Sequence, residues 1–196
     1  MDKKELQDIA ISVIVLSVAF LNIIGDFTLE NFVISLLIVI FVFVVHELAH
    51  RGVAKYYGFS AKYVAWPFGL LLTLLTSFGS FLLGGSFLFA APGAVQISPY
   101  SDKFAFQLRP MTKKEYGIIA LSGPASNIAV GVIFFLLFLI FPSPIYFLYN
   151  ISKISFWLAF FNLLPIPPLD GSKILIWNIK IWFIIIAFAF IGWMVI

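Results

Sequence analysis

The chain has 196 residues, of which 62% are hydrophobic and only 11% are charged, and its formal net charge is +3. Charged residues make up about a quarter of an ordinary soluble domain, so this composition excludes one and indicates a polytopic membrane protein. Cysteine is absent, which excludes disulfides and thiolate metal ligands. No basic cluster with interleaved aromatic residues suggests nucleic-acid binding. The length suits one membrane-embedded domain over residues 1–196.

Apolar runs that could cross a bilayer recur along the whole chain. They occupy residues 9–24, 31–57, 66–91, 116–141, 154–169 and 174–196. A hydrocarbon core of roughly 30 Å requires about 20 helical residues, so six crossings are possible. The first run follows Lys3 and Lys4, as the apolar part of a signal peptide would. Because the run approaches the length of a span and lacks a small-x-small cleavage pattern, we predict a retained first helix.

The third run, residues 66–91, differs from the others in composition. Threonine and serine lie near its middle, and it is interrupted or closely followed by prolines and glycines at Pro67, Gly69, Gly79, Gly84, Gly85, Pro92 and Gly93. This density favours a bent or re-entrant segment with some β character, which must be covered by surrounding helices because open strand edges cannot face lipid.

The distribution of charge supports the re-entrant interpretation. If residues 66–91 return to the side they left, every Lys and Arg except Lys153 falls on one side of the membrane. Asp26 and Glu30 then lie in an opposite loop without Lys or Arg, as the positive-inside rule requires of an external connection. We therefore predict an all-α polytopic fold with about five transmembrane helices, a cytoplasmic amino terminus and an external carboxy terminus.

The second run ends in His46-Glu47-Leu48-Ala49-His50. Ionisable groups at membrane depth cost about 2.5 to 3.5 kcal/mol each on insertion scales, so such residues are candidates for a functional site. On a helix, His46 and His50 lie on one face at i and i+4, where both imidazoles can reach one metal ion. Glu47 projects beside them as a potential base. The pattern predicts a zinc hydrolase site inside the membrane.

Two histidines leave such a site incomplete, because catalytic zinc usually takes three protein ligands and a water. The chain has no other histidine, so the third ligand should be a carboxylate. Most carboxylates lie in predicted loops or at the amino terminus, but Asp170 follows an apolar run in a proline-rich stretch that cannot form a regular helix. With two crossings between His50 and Asp170, both residues reach the same depth, near the cytoplasmic face.

Three motifs in this order resemble those of the site-2 proteases, a family of intramembrane zinc metalloproteases. The motifs are HELAH at residues 46–50, SGPASN at residues 122–127 and NLLPIPPLDG at residues 162–171. The last is similar to the family pattern Asn-x-x-Pro-x-x-x-Leu-Asp-Gly, and the second to a Gly-Pro-x-x-Asn signature at the start of the intervening helix. The resemblance covers a catalytic core of residues 31–171, without a PDZ insertion, as in the compact archaeal and sporulation-type members.

The resemblance implies roles for individual residues. One zinc ion per chain, with a catalytic water, would be held by His46, His50 and Asp170, while Glu47 acts as general base and acid and Asn162 assists the oxyanion. The implied activity is hydrolysis of peptide bonds within or near transmembrane segments of membrane-protein substrates, as in regulated intramembrane proteolysis. The implied location is the cell membrane, with several passes through the lipid bilayer.

Simpler roles remain open for several of these residues. Asp170 could cap the single helix that fits after it. Asn162 could form a hydrogen bond between helices. Asn127 and Pro124 fit packing and helix-start positions better than chemistry. The alternative function is an intramembrane metal carrier or sensor without protease activity, although such a protein should show several metal sites or internal repeats, and the sequence shows neither.

Overall fold

The computed structural model describes residues 1–85, 88–98, 110–141 and 145–196. The described part is mostly helical, with one two-stranded sheet formed by β1 and β2. Its elements, in chain order, are α1 (Lys3–Ile24), α2 (Leu29–Val39), a π-helical segment (Ile40–Val44), α3 (Val45–Tyr56), β1 (Ser60–Ala65), α4 (Pro67–Leu82), β2 (Gly93–Ser98), α5 (Lys113–Ile140), α6 (Ile145–Asn162), α7 (Asp170–Trp177) and α8 (Ile179–Val195).

Three helical segments of the described residues are long and apolar enough to cross a membrane. They are Lys3–Ile24, Leu29–Tyr56 and Lys113–Ile140. The helices Pro67–Leu82 and Ile179–Val195 are apolar but shorter. A mostly helical membrane fold is therefore supported, whereas the number of five crossings and the re-entrant path of residues 66–91 stay predictions.

The chain divides into two compact units. The first comprises Met1–Val44 and Lys62–Gln96, and the second comprises Val45–Ala61 and Ile97–Ile196. Helix α3 and helices α5 to α8 belong to the second unit.

Buried side chains of the first unit hold its helices together through hydrogen bonds to backbone carbonyls. The Ser35 hydroxyl donates to the Ser17 carbonyl oxygen at 2.7 Å, and the Ser77 hydroxyl donates to the Ala19 carbonyl oxygen at 2.6 Å. In an apolar environment, small polar residues of this kind connect helices that no hydrophobic effect drives together. These bonds tie α1 to both α2 and α4.

Carboxylates on α1 accept hydrogen bonds from backbone N–H groups of β1 in the same unit. The Tyr63 N–H donates to Glu5 Oε1 at 3.2 Å, and the Ala65 N–H donates to Asp8 Oδ2 at 3.4 Å. The Tyr63 hydroxyl also lies 2.8 Å from the Ser12 hydroxyl. Because an unpaired strand edge cannot face lipid, these side chains supply acceptors that a further strand would otherwise provide.

Within residues 66–91, for which the sequence predicts a bent or re-entrant segment with some β character, residues 67–82 form the helix α4. The glycines and prolines occupy positions that a helix tolerates. Pro67 is the first helical residue, where its missing N–H costs nothing, and Gly84 follows the end with φ of +72°. At Gly69 a Cβ atom would lie 2.0 Å from the Ala91 carbonyl oxygen. The β structure lies on either side of α4, in β1 and β2.

Helix α5 occupies the centre of the second unit and contacts α3, α6, α7 and α8. Glycines allow its neighbours to approach closely. A Cβ atom at Gly117 would lie 2.5 Å from the Trp177 side chain, and one at Gly131 would lie 2.7 Å from the Phe156 ring. The buried core of this unit includes Ala120, Ala159, Leu163, Ile174 and Ala189.

Two helix boundaries differ from the sequence predictions. The chain after residue 169 forms two helices instead of one, because the Asn178 side chain interrupts the apolar run and caps α8 by accepting from the backbone N–H groups of Lys180 and Ile181. Helix α5 begins at Lys113, so residues 122–127 lie inside the helix and Pro124 is not a helix-start residue.

A capping box fixes the start of α5. The Thr112 hydroxyl accepts from the Glu115 N–H at 3.2 Å, and Glu115 Oε2 accepts from the Thr112 N–H at 2.9 Å. We expect Thr112→Ala to destabilise the protein by about 1 kcal/mol, because one helix-terminal N–H loses its acceptor. Thermal unfolding in detergent micelles measures the loss. Thr112→Ser keeps the hydroxyl and should retain the wild-type midpoint, and equal losses in both variants would contradict the capping role.

Candidate active site

Helix α3 places His46 and His50 side by side on one buried face. His46 is 3% exposed and His50 is 6% exposed, and their Nε2 atoms lie 3.0 Å apart. The helix follows directly on the π-helical segment Ile40–Val44, and such segments frequently adjoin functional sites.

The first residue of α7, Asp170, completes a buried group of three. Its Oδ2 atom lies 2.9 Å from His50 Nε2 and 3.5 Å from His46 Nε2. Leu169, not Asp170, is the N-cap of α7, so the simple capping role is not realised. Within the described residues, His46, His50 and Asp170 form the group whose geometry could hold a metal ion.

The residue after Asp170 must be small because the chain folds back tightly here. A Cβ atom at Gly171 would lie 2.0 Å from the Leu163 carbonyl oxygen. That same carbonyl accepts a hydrogen bond from Trp182 Nε1 of α8 at 2.8 Å. The ends of the proline-rich loop are thus held together, and α7 begins where the Asp170 carboxylate can reach the histidines.

Hydrogen bonding around His50 brings two acceptor atoms of this group face to face. His50 Nδ1 lies 2.7 Å from the Ile119 carbonyl oxygen, which can only accept, so Nδ1 carries the proton. The Nε2 atom of a neutral His50 then directs a lone pair at the Asp170 carboxylate, also an acceptor. Two acceptors 2.9 Å apart in a buried site require a proton or a metal ion between them.

The ligand set and spacing fit zinc. Four-coordinate zinc with ligands at about 2.0 to 2.1 Å places ligand atoms about 3.3 Å apart. The three separations here are 2.9, 3.0 and 3.5 Å. Two imidazoles and one carboxylate match the donor set of catalytic zinc sites, which leave one position open.

Helix α5 leaves space beside the imidazoles at Gly123. A Cβ atom there would lie 2.3 Å from His50 Nε2 and 2.6 Å from His46 Nε2. The missing side chain therefore creates a cradle at the atoms that would bind the metal.

Glu47 lies between the two histidines in sequence and is 7% exposed. Its Oε2 atom is buried and has no hydrogen-bond partner among the described residues. A buried, unpartnered carboxylate oxygen is costly unless it serves a ligand or a reaction. This side chain is therefore free to accept a proton beside the metal site.

Lys173 holds the other oxygen of the Asp170 carboxylate. Its Nζ atom lies 2.9 Å from Asp170 Oδ1, one turn along α7, and 6.0 Å from the centre of the Tyr116 ring. With Oδ1 engaged, Oδ2 is the oxygen presented to the histidines. Asp170 is therefore arranged to bind a metal through one oxygen.

The structure does not place Asn162 in this group. Its Nδ2 atom donates to the Leu158 carbonyl oxygen of its own helix at 3.0 Å. Among the interactions of the described residues, none joins Asn162 to the histidines or to Asp170. Sequence reasoning also missed the Ile119 carbonyl, the cradle at Gly123 and the pairing of Lys173. Gly123 had a signal in the motif at residues 122–127, and Lys173 had one in its i+3 spacing from Asp170.

Comparison with known proteins supports the interpretation that this chain is a protease. The model of peptidase family M50, the family of the site-2 proteases, matches residues 32–146 and 139–186. A Methanocaldococcus jannaschii protein named "Putative zinc metalloprotease MJ0611" is 41% identical over 196 residues, covering 98% of this chain and 93% of the relative. The comparison with solved structures gave no significant match.

Proposed function

Because the chain belongs to peptidase family M50, we propose that it is an intramembrane zinc metalloprotease that cleaves peptide bonds within or near transmembrane segments of membrane proteins. The observation that carries the proposal is the buried group of His46, His50 and Asp170 together with Glu47, whose Oε2 atom has no hydrogen-bond partner among the described residues. Regulated intramembrane proteolysis is the process in which such an activity would act.

His46 Nε2, His50 Nε2 and Asp170 Oδ2 would hold one zinc ion. When bound, zinc polarises the scissile carbonyl and acidifies the attacking water. Glu47 accepts a proton from that water as its oxygen attacks the carbonyl carbon. Glu47 then delivers the proton to the amide nitrogen as the C–N bond breaks, so that the amine leaves neutral and the carboxylate is regenerated.

Asn162 is the candidate for a hydrogen-bond donor that would stabilise the oxyanion together with zinc. An amide nitrogen carries two N–H groups, and the bond to the Leu158 carbonyl engages one of them. The other can donate to a developing oxyanion if substrate binding brings it within reach.

Burial of the site sets two conditions for a substrate. Each of the three ligand residues is at most 7% exposed, so water and substrate must enter a closed environment. A transmembrane helix hides its carbonyls in intrahelical hydrogen bonds. A substrate segment must therefore unwind locally before attack. The charge distribution favours a site nearer the cytoplasmic face of a multi-pass cell-membrane protein.

Metal removal tests the proposal directly. Purified full-length protein is incubated with a single-pass membrane peptide in detergent, and with an unstructured peptide that needs no unwinding. We expect cleavage of at least one peptide, its complete loss after treatment with a chelator, and its recovery on adding zinc. Unchanged cleavage by protein shown to be free of zinc would contradict the metal's role. Tight zinc binding without cleavage of either peptide would favour the carrier or sensor.

A further inference from the structure

Asn127 on α5 lies against the first histidine. The residue is completely buried, and its Nδ2 atom lies 3.2 Å from His46 Nδ1. Its Oδ1 atom is also buried and has no hydrogen-bond partner among the described residues. A buried amide with an unpaired oxygen next to a histidine is a costly arrangement, which requires an explanation.

The protonation of His46 explains the unpaired oxygen of Asn127. If His46 binds zinc through Nε2, as proposed above, its Nδ1 atom must carry the proton, because only one nitrogen of a neutral imidazole has a free lone pair. An Asn127 NH2 group facing that N–H would place two donors in contact. Rotating the amide by 180° exchanges its nearly isosteric ends, forms an Nδ1–H to Oδ1 hydrogen bond and removes the unpaired oxygen.

We propose that Asn127 is the positioning residue for His46, with its Oδ1 atom accepting the Nδ1 proton and directing Nε2 at the metal. His50 has the equivalent arrangement, since its Nδ1 atom lies 2.7 Å from the Ile119 carbonyl oxygen. Helix α5 thus supplies an acceptor to each histidine, one from its backbone and one from a side chain. Such outer-shell acceptors fix the ring orientation and raise the basicity of the ligand nitrogen.

Two substitutions at position 127 separate this role from packing. Asn127→Leu keeps the branched shape, although with more bulk, but has no acceptor, and zinc affinity should fall by about 10- to 100-fold. Asn127→Asp presents only acceptors, so zinc affinity should equal or exceed that of the wild type. A packing role predicts the opposite order, because a buried carboxylate disturbs an apolar helix interface more than leucine does.

Zinc affinity of the purified full-length variants is measured by competition with a chromophoric chelator, and thermal unfolding of the metal-free forms is measured in parallel. Ser126→Ala is the matched control, since the Ser126 hydroxyl donates to the Gly123 carbonyl of its own helix at 2.7 Å. Its zinc affinity should be unchanged. Asn127→Ala removes the same acceptor with less bulk and replaces the leucine variant if that variant is not recovered folded.

The inference rests on the proposed zinc site, and the two can fail separately. Wild-type zinc affinity in the variants that lack an acceptor would overturn the role of Asn127 and leave the zinc site intact. Loss of affinity in Asn127→Asp to the level of Asn127→Leu would also overturn it. If the wild type binds no zinc, or binds it equally well after His46→Ala, the proposed site itself is wrong.

Discussion

Glu47→Gln is expected to abolish peptide cleavage while zinc stays bound. The amide has nearly the same shape as the carboxylate but cannot accept the proton of the attacking water. Loss of a positioned general base typically lowers the rate by about 10²- to 10⁴-fold. The proposed metal ligands are other residues, so zinc content should not change. The cleavage rate with the unstructured peptide and the zinc content of the purified protein are the two measurements.

Glu30→Gln provides the matched control for that experiment. Glu30 is exposed in the first turn of α2, and the same change of carboxylate to amide there should leave cleavage unaffected. Cleavage at the wild-type rate by Glu47→Gln would remove Glu47 from the mechanism. If the wild type and the variant both bind zinc and neither cleaves, the carrier or sensor becomes the better interpretation.

Gly123→Ala is expected to abolish zinc binding, and cleavage with it, without unfolding the protein. The added methyl group would lie 2.3 Å from His50 Nε2 and 2.6 Å from His46 Nε2, so the imidazoles must move away from the positions that face Asp170. Alanine is the better helix former by roughly 0.5 to 1 kcal/mol, so α5 itself should persist. Zinc content and helical circular dichroism are measured on the same sample.

Gly52→Ala adds the same methyl group to the helix that carries the histidines. No atom lies within 4 Å of a Cβ built at Gly52, so this variant should keep both zinc and activity. If Gly123→Ala binds zinc as tightly as Gly52→Ala, the cradle at position 123 is not needed for the metal.

The parts of the fold that could be predicted are those that long apolar runs define. The helices around residues 9–24, 31–57 and 116–141 match such runs. The helix at residues 67–82 was missed because the glycines and prolines of this run were counted without their positions. Pro67 begins a helix and Gly84 ends one, and both positions favour these residues. The break at Asn178 was missed although asparagine is a favoured helix cap.

The candidate site also has parts that the sequence predicts and parts that it does not. The i and i+4 spacing of His46 and His50 follows from helix geometry, and Asp170 followed from elimination among few carboxylates. The backbone carbonyl of Ile119 could not be predicted, because every residue type has one. The role of Gly123 depends on which helix face meets the histidines, and this is set by packing between distant segments.

The order of the proposed ligands along the chain determines when the site can be completed during synthesis. His46, Glu47 and His50 are made early, whereas Asp170 follows after about 120 more residues. At about 5 to 20 residues per second, this interval lasts roughly 6 to 24 seconds. The histidine pair lacks its proposed carboxylate partner throughout that time. Any activity of the proposed site must therefore wait until the start of α7 has been made.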